Sequence, residues 1–233
     1  MNDKRPLLVG VYNAGGDGMF TRDIYPVLEH FRHKFRTLDQ ADLRALEPGA
    51  LDALLLPGGW YFFKDKLDLA GRLRGFVAAG GGCVGICCGA INLCQLGLLP
   101  AEMINMAIMG PAFIEPVDGE HPVWAGVAKK SDKHWRQYER FDILNYNGWP
   151  MLLKDGAHMI ASYDMDKKVA AIACAEHGQG RVVAFGPHPE GSTCAPGIFR
   201  DRDKHPMVYD GIAMGTARLL HNALLWSAGR TAE

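Results

Sequence analysis

Nine residues, Gly82-Cys83-Val84-Gly85-Ile86-Cys87-Cys88-Gly89-Ala90, restrict the fold of this chain more than any other stretch. The short apolar run before Cys87 is too brief for a helix and is flanked by glycines, as a fully buried parallel strand would be. The residues from Ala90 to Leu96 carry helical spacing. A thiol therefore stands where a buried strand turns sharply into a helix, and Gly85 and Gly89 flank it in a G-x-C-x-G pattern, the arrangement of a nucleophile elbow. Small neighbours let backbone pass close to a ligand. The start of the following helix is the positive end of its dipole, which favours the thiolate, the form that attacks carbonyls. An inert packing cysteine fits the same pattern.

A second strand, Arg181-Val182-Val183-Ala184-Phe185, ends in Gly186-Pro187-His188-Pro189-Glu190. Pro189 restricts His188 to extended backbone, where residues i and i+2 point the same way, so His188 and Glu190 are predicted to lie side by side. A carboxylate on one ring nitrogen fixes the tautomer and leaves the other nitrogen free to take a cysteine proton. A surface His–Glu pair is the alternative, although it does not explain why the pair follows a buried strand just as the cysteine does. A third strand, Leu54-Leu55-Leu56, runs into Pro57-Gly58-Gly59-Trp60. Backbone N–H groups at Gly58 and Gly59 can form half of an oxyanion hole, with the Cys88 N–H as the other half, or the segment is a plain turn.

Taken in order, the Pro57-Gly58-Gly59 turn, the Gly85-Ile86-Cys87-Cys88-Gly89 elbow, Tyr146-Asn147-Gly148 and Gly186-Pro187-His188-Pro189-Glu190 resemble the class I glutamine amidotransferase superfamily. The likeness is greatest to the amidotransferase-like domain at the N-terminus of some biotin protein ligases and in stand-alone bacterial proteins. The resemblance implies an α/β fold with a flavodoxin-like, mostly parallel sheet, flanking helices and antiparallel additions. It also implies one amidotransferase-like domain over residues 1–233, with Cys87 as nucleophile, His188 as general acid and base, and Glu190 as the orienting carboxylate. Tyr146 and Asn147 become candidate substrate contacts. Glutaminases of the superfamily usually carry glutamine four residues after the nucleophile, whereas Ile91 stands there in this chain. The resemblance thus implies the attack chemistry without implying glutamine as substrate.

The function classes are narrowed by composition. Lys plus Arg (25) nearly equals Asp plus Glu (26), so no global field draws in nucleic acid or an anionic membrane, and a small-molecule substrate is expected. With 48% apolar residues there is ample material for one buried core. No signal-type segment and no run of eighteen apolar residues is seen, which predicts a cytoplasmic protein. In a reducing compartment the six cysteines stay free, and none of their spacings suits a metal site. No cofactor is called for, since the loop Asn13-Ala14-Gly15-Gly16-Asp17-Gly18 lacks a phosphate-binding spacing.

Along the rest of the chain, Thr21 to His33 is predicted to be helical with His30 and His33 on its solvated side. The run Trp60-Tyr61-Phe62-Phe63 could wall a substrate pocket, pack internally or serve a homodimer. The pieces Ile108–Pro111 and Phe113–Pro116 suggest antiparallel strands broken by Gly and Pro. The basic run from Lys129 to Arg136 is expected to be a solvated loop. A final helix is predicted, with Val208, Ile212, Leu219, Ala223 and Trp226 on one side and Pro206 near its start. Three functions remain in view: a cysteine hydrolase or amidotransferase-like enzyme working through a thioester, a non-catalytic small-molecule-binding or regulatory module, and a glutaminase subunit supplying ammonia to a partner synthase.

Overall fold

Leu54, Leu55 and Leu56 illustrate how the central sheet is built. Successive side chains of a strand point to opposite faces, and Leu55 joins the apolar cluster on one face of the sheet while Leu54 and Leu56 join the other. Each is fully buried, which contributes roughly 1.5–3 kcal/mol per side chain. The computed structural model describes residues 5–13, 21–59, 61, 63, 66–106, 108–127, 141–192, 209–210, 212 and 215–231. Trp60, the interior of the glycine-rich 13–18 loop, the basic run and Pro206 lie outside the described residues.

The described elements are β1 (Leu8–Tyr12), α1 (Thr21–His30), β2 (Lys34–Leu38), α2 (Gln40–Arg44), β3 (Ala53–Leu56), α3 (Lys66–Ala78), β4 (Gly82–Ile86) and α4 (Cys88–Gln95) in the first half. The second half contains β5 (Ala101–Met103), β6 (Ile108–Pro116), β7 (Phe141–Gly148), β8 (Met151–Leu153), β9 (Ala157–Tyr163), β10 (Asp166–His177), β11 (Gly180–Phe185), β12 (Gly191–Ser192), β13 (Tyr209–Asp210) and α5 (Thr216–Ser227). The main sheet runs β2-β1-β3-β4-β11-β10-β9-β6-β7. From β2 to β11 all neighbours are parallel, and from β11 onward all are antiparallel. The expected α/β sheet, mostly parallel at its centre with antiparallel additions, is the architecture present.

Side chains of α1 and α5 pack on one face, and those of α2, α3 and α4 on the other. β4 and β11 are adjacent and parallel, with Phe185 opposite Ile86. The two segments that follow these strands therefore emerge side by side at the carboxyl edge, where ligands bind in such sheets. The far end of the sheet curls back to the same place. The edge strand β7 bridges to the His188 segment, where the His188 N–H donates to the Leu144 carbonyl at 2.8 Å or less, 2.7 Å.

Three local expectations are corrected. α1 stops at His30, because Arg32 adopts a left-handed backbone (φ 57°) that ends the helix. His33 is buried rather than solvated, since its ring lies under β1 and against α5. The Ile108–Pro116 region is one nine-residue strand, whose Gly110 takes up a positive φ of 103° in mid-strand. The last helix starts only at Thr216, with Ile212 before it.

Candidate active site

Cys87 occupies the N-cap position of α4 with φ 51° and ψ −109°. Such a conformation is sparsely populated by L-residues and persists only where the surroundings over-determine it. Here they do. The Cys87 N–H donates to the Phe185 carbonyl at 2.8 Å and its carbonyl accepts the first helical bond from Ile91 at 3.1 Å. A Cβ on Gly85 would press on the Gly89 backbone, and one on Gly89 would collide with the Leu56 carbonyl. The flanking glycines thus allow β4, α4 and the end of β3 to close around the turn. The Cys88 N–H, at the first residue of α4, has no intrahelical acceptor.

The next loop brings up the histidine. His188 Nδ1 and Glu190 Oε1 are 2.8 Å apart, and both side chains are fully buried. Thr216, in the first turn of α5, donates to the Pro189 carbonyl at 2.6 Å and holds this loop from behind. A side-chain hydrogen bond joins His188 to Cys87 on the opposite side of the ring. Burial alone would lower the imidazole's proton affinity, but the Glu190 carboxylate and Cys87 outweigh it and raise the His188 pKa to about 10. An ionised carboxylate only accepts hydrogen bonds, so Nδ1 carries a proton and Nε2 is the nitrogen presented to the thiol.

A second Cys–His contact in the same molecule shows what this orientation achieves. Cys174 Sγ lies 3.7 Å from His121 Nε2. His121 Nδ1, however, accepts the Val123 N–H at 3.3 Å. Its neutral ring must therefore carry hydrogen on Nε2, with no lone pair left for the Cys174 proton. Burial pushes the Cys174 thiol up to about 12. Burial likewise pushes Cys83 and Cys94 up to about 12 and Cys88 up to about 11. The five described cysteines are all free thiols, and among them the His-to-carboxylate arrangement reaches Cys87 alone.

The glycine turn docks on the elbow. Tyr61, just beyond it, accepts from Cys88 Sγ at 2.8 Å and from Asn92 Nδ2 at 3.3 Å through its carbonyl, while its hydroxyl donates to the Pro57 carbonyl at 2.7 Å. Gly58 is buried and Gly59 partly exposed, with Gly59 at φ 150°, a backbone that side-chain-bearing residues rarely adopt. Of the aromatic run, Tyr61 and Phe63 pack against Tyr12 in the core at 5.1 and 5.2 Å between ring centroids. They are packing residues rather than pocket walls.

Tyr146 arrives through its main chain. Its carbonyl lies 3.7 Å from Cys87 Sγ and 3.4 Å from His188 Nε2, and Asn147 beside it has a left-handed φ of 56°. Asn145, which sequence reasoning passed over, is fully buried and anchors this turn. It accepts the Gly148 N–H at 2.7 Å and donates to the Tyr163 hydroxyl at 2.8 Å. A polar residue interrupting the apolar Ile143-Leu144 run was the available signal, since a buried amide has to be hydrogen-bonded. Thr216 carried no such signal. Among the described residues no group of three or more His, Cys, Asp or Glu is placed to hold a metal ion, and no helix is long and apolar enough to cross a membrane.

A parallel sheet covered by helices, antiparallel additions beyond β11 and a cysteine elbow at the carboxyl edge define the class I glutamine amidotransferase-like fold. Solved structures of that kind superpose on nearly the whole chain. PurLQS from Thermotoga maritima matches with a TM-score of 0.67 at 16% identity, covering 95% of this chain and 99% of that one. A glutamine amidotransferase from Thermotoga maritima matches with a TM-score of 0.63 at 16% identity, covering 96% and 99%. A cytoplasmic protein from Salmonella typhimurium gives 0.58 at 14% identity, covering 95% and 98%. No family model and no curated protein matches the sequence. At these identities the likeness establishes the fold.

Proposed function

We propose that this protein is a cysteine-nucleophile enzyme acting on the C–N bond of a small-molecule amide, through Cys87, His188 and Glu190. The observation that carries the reading is one buried imidazole held by Glu190 on Nδ1 and hydrogen-bonded to Cys87 on its other side. In the reaction the Cys87 proton passes to His188 Nε2, and the thiolate attacks the amide carbon. The oxyanion accepts hydrogen bonds from the Gly59 and Cys88 N–H groups. His188 returns the proton to the departing amine, leaving a thioester on Cys87. Water, deprotonated by the same nitrogen, then releases the acid.

The fold shared with PurLQS and a glutamine amidotransferase supports an amide nitrogen as leaving group and a synthase as partner for the released ammonia. Ile91, only 7% exposed and one turn into α4, stands where glutaminases usually have glutamine, which favours an amide other than glutamine. The order of the four motifs supports kinship with the biotin protein ligase N-terminal type. One domain over residues 1–233 and a cytoplasmic location complete the reading.

The test is alkylation of the thiols by iodoacetamide, read by peptide mass spectrometry from pH 5 to 10, together with ammonia release from glutamine and a panel of small primary amides. The proposal expects selective modification of Cys87 near neutral pH, its loss in His188→Ala, and ammonia release from at least one amide that Cys87→Ala does not support. Equal reactivity of Cys87 and the other cysteines would overturn it and point to a binding module.

A further inference from the structure

The β6–β7 ladder contains a single irregularity next to the candidate site. Ile108 pairs with Gly148 and the adjacent Met109 pairs with Tyr146, so Asn147 is an extra residue on β7. It is a β-bulge, and bulges re-aim the groups beside them. What this bulge re-aims is the Tyr146 carbonyl, which leaves the ladder direction and faces both Cys87 Sγ and His188 Nε2. Three further contacts hold it there. The left-handed backbone of Asn147 suits asparagine or glycine and penalises other residues. Asn145 ties the turn closed through the Gly148 N–H and is itself held by the buried Tyr163 hydroxyl. Gly148 sits so close to the Gly186 carbonyl that no Cβ fits between the turn and the His188 loop.

We propose that the Asn147 bulge positions the reacting pair by giving the Nε2–H of protonated His188 a fixed acceptor, the Tyr146 carbonyl. The inference rests on the Cys87–His188–Glu190 reading and deepens it. When the thiol proton moves to Nε2, the S–H bond breaks, an N–H bond forms, and the new N–H has two acceptors within reach, the thiolate and the carbonyl. Once the thiolate has attacked carbon, sulfur ceases to be an acceptor of comparable strength. The carbonyl then keeps the imidazolium oriented until its proton is passed to the leaving amine. The 3.4 Å separation is long for a hydrogen bond, as catalytic contacts often are before a substrate closes the site. Tyr146 and Asn147 thus act as positioning residues through the main chain, rather than as side-chain contacts to substrate.

The experiment compares the pH midpoint of Cys87 alkylation in the full-length wild type, Asn147→Gly, Asn147→Val and His188→Ala, with thermal melts of each. Asn147→Gly keeps the left-handed backbone and is expected to track wild type. Asn147→Val disfavours it and is expected to raise the midpoint by roughly one to two pH units, the size of a lost hydrogen bond to a charged group. Asn147→Ala supplies the same comparison if the valine variant does not fold. A midpoint in Asn147→Val equal to wild type, or a rise in Asn147→Gly as large as in Asn147→Val, overturns the inference. If His188→Ala also leaves Cys87 unchanged, the triad reading fails and the inference fails with it. Loss of selective alkylation in His188→Ala alone sinks only the role given to Asn147.

Discussion

His188 Nδ1 and Glu190 Oε1 lie 2.8 Å apart with both side chains entirely out of solvent, and the second carboxylate oxygen, Oε2, is buried with no hydrogen-bond partner. The carboxylate charge therefore faces the imidazole with little competition. Glu190→Ala removes both the orienting bond and the charge that holds the His188 proton. Turnover on any amide found to be a substrate is expected to fall by about 10²- to 10⁴-fold, the usual contribution of acid–base catalysis. Steady-state rates at pH 7 check this, and an unaltered rate would remove Glu190 from the site.

Gly59→Ala forces a side chain onto a backbone at φ 150°. Reorientation of the turn would take away one proposed oxyanion donor. The expected loss is about 100- to 1,000-fold in kcat, with little change in the pH profile of Cys87 alkylation, because the triad is untouched.

Cys88 adjoins the nucleophile, yet its thiol donates to the Tyr61 carbonyl and is pushed up to about 11 by burial. Only its main-chain N–H is assigned a role. Cys88→Ala is accordingly expected to keep most of the activity, within about tenfold of wild type after loss of one hydrogen bond. Peptide mapping should find Cys88 unmodified under conditions that fully alkylate Cys87.

At Gly89 a single methyl group would strike the Leu56 carbonyl, which is backbone and cannot rotate away. Gly89→Ala should cost about 3 kcal/mol of stability, at the upper end of overpacking effects, and should separate the glycine turn from the elbow. Denaturant melts measure the first effect and Cys87 alkylation the second.

Two histidine sites titrate with opposite consequences for folding. His33 Nδ1 accepts the Leu7 N–H at 3.3 Å, so its Nε2–H donates to His221 Nδ1 at 2.9 Å. Protonation of either ring breaks this chain. Burial lowers His33 to about 4, helped by Arg230 and opposed by Asp52; burial, His33, Arg218 and His30 lower His221 to about 3. Unfolded imidazoles titrate near 6.5, so the stability from this pair is complete above that pH and is lost as pH falls from about 6.5 toward 4 and below. His188 behaves in the reverse sense. Its contribution is complete below about 6.5 and disappears as pH rises through about 10. Thermal melts from pH 4 to 10 should show both flanks, the acid one flattened in a His33→Asn, His221→Asn double variant and the alkaline one in His188→Gln.

Strand period and glycine placement made the site-bearing half of the fold legible. Leu54-Leu55-Leu56 and Arg181–Phe185 read directly as buried strands, and the proline between His188 and Glu190 announced their side-by-side geometry. Less was legible where partners are distant in sequence. His33 has the spacing of a solvated helix residue, and only its contact with His221, across 188 residues, buries it. The nine-residue β6 reads as two pieces because Gly and Pro interrupt it locally, while pairing with β7 and β9 on either side overrides that preference.

By itself, then, the sequence determined the alternation of strands and helices, the strained cysteine corner and the His-Pro-Glu geometry, because each depends on backbone preferences within a few residues. Only the tertiary structure decided that β4 and β11 are neighbours, which brings Cys87 and His188 together, and that β7 returns to set the Tyr146 carbonyl against them. It also decided which cysteine faces a histidine with a free nitrogen. These outcomes depend on strand order and on hydrogen bonds between residues far apart in the chain, and local spacing carries no record of either.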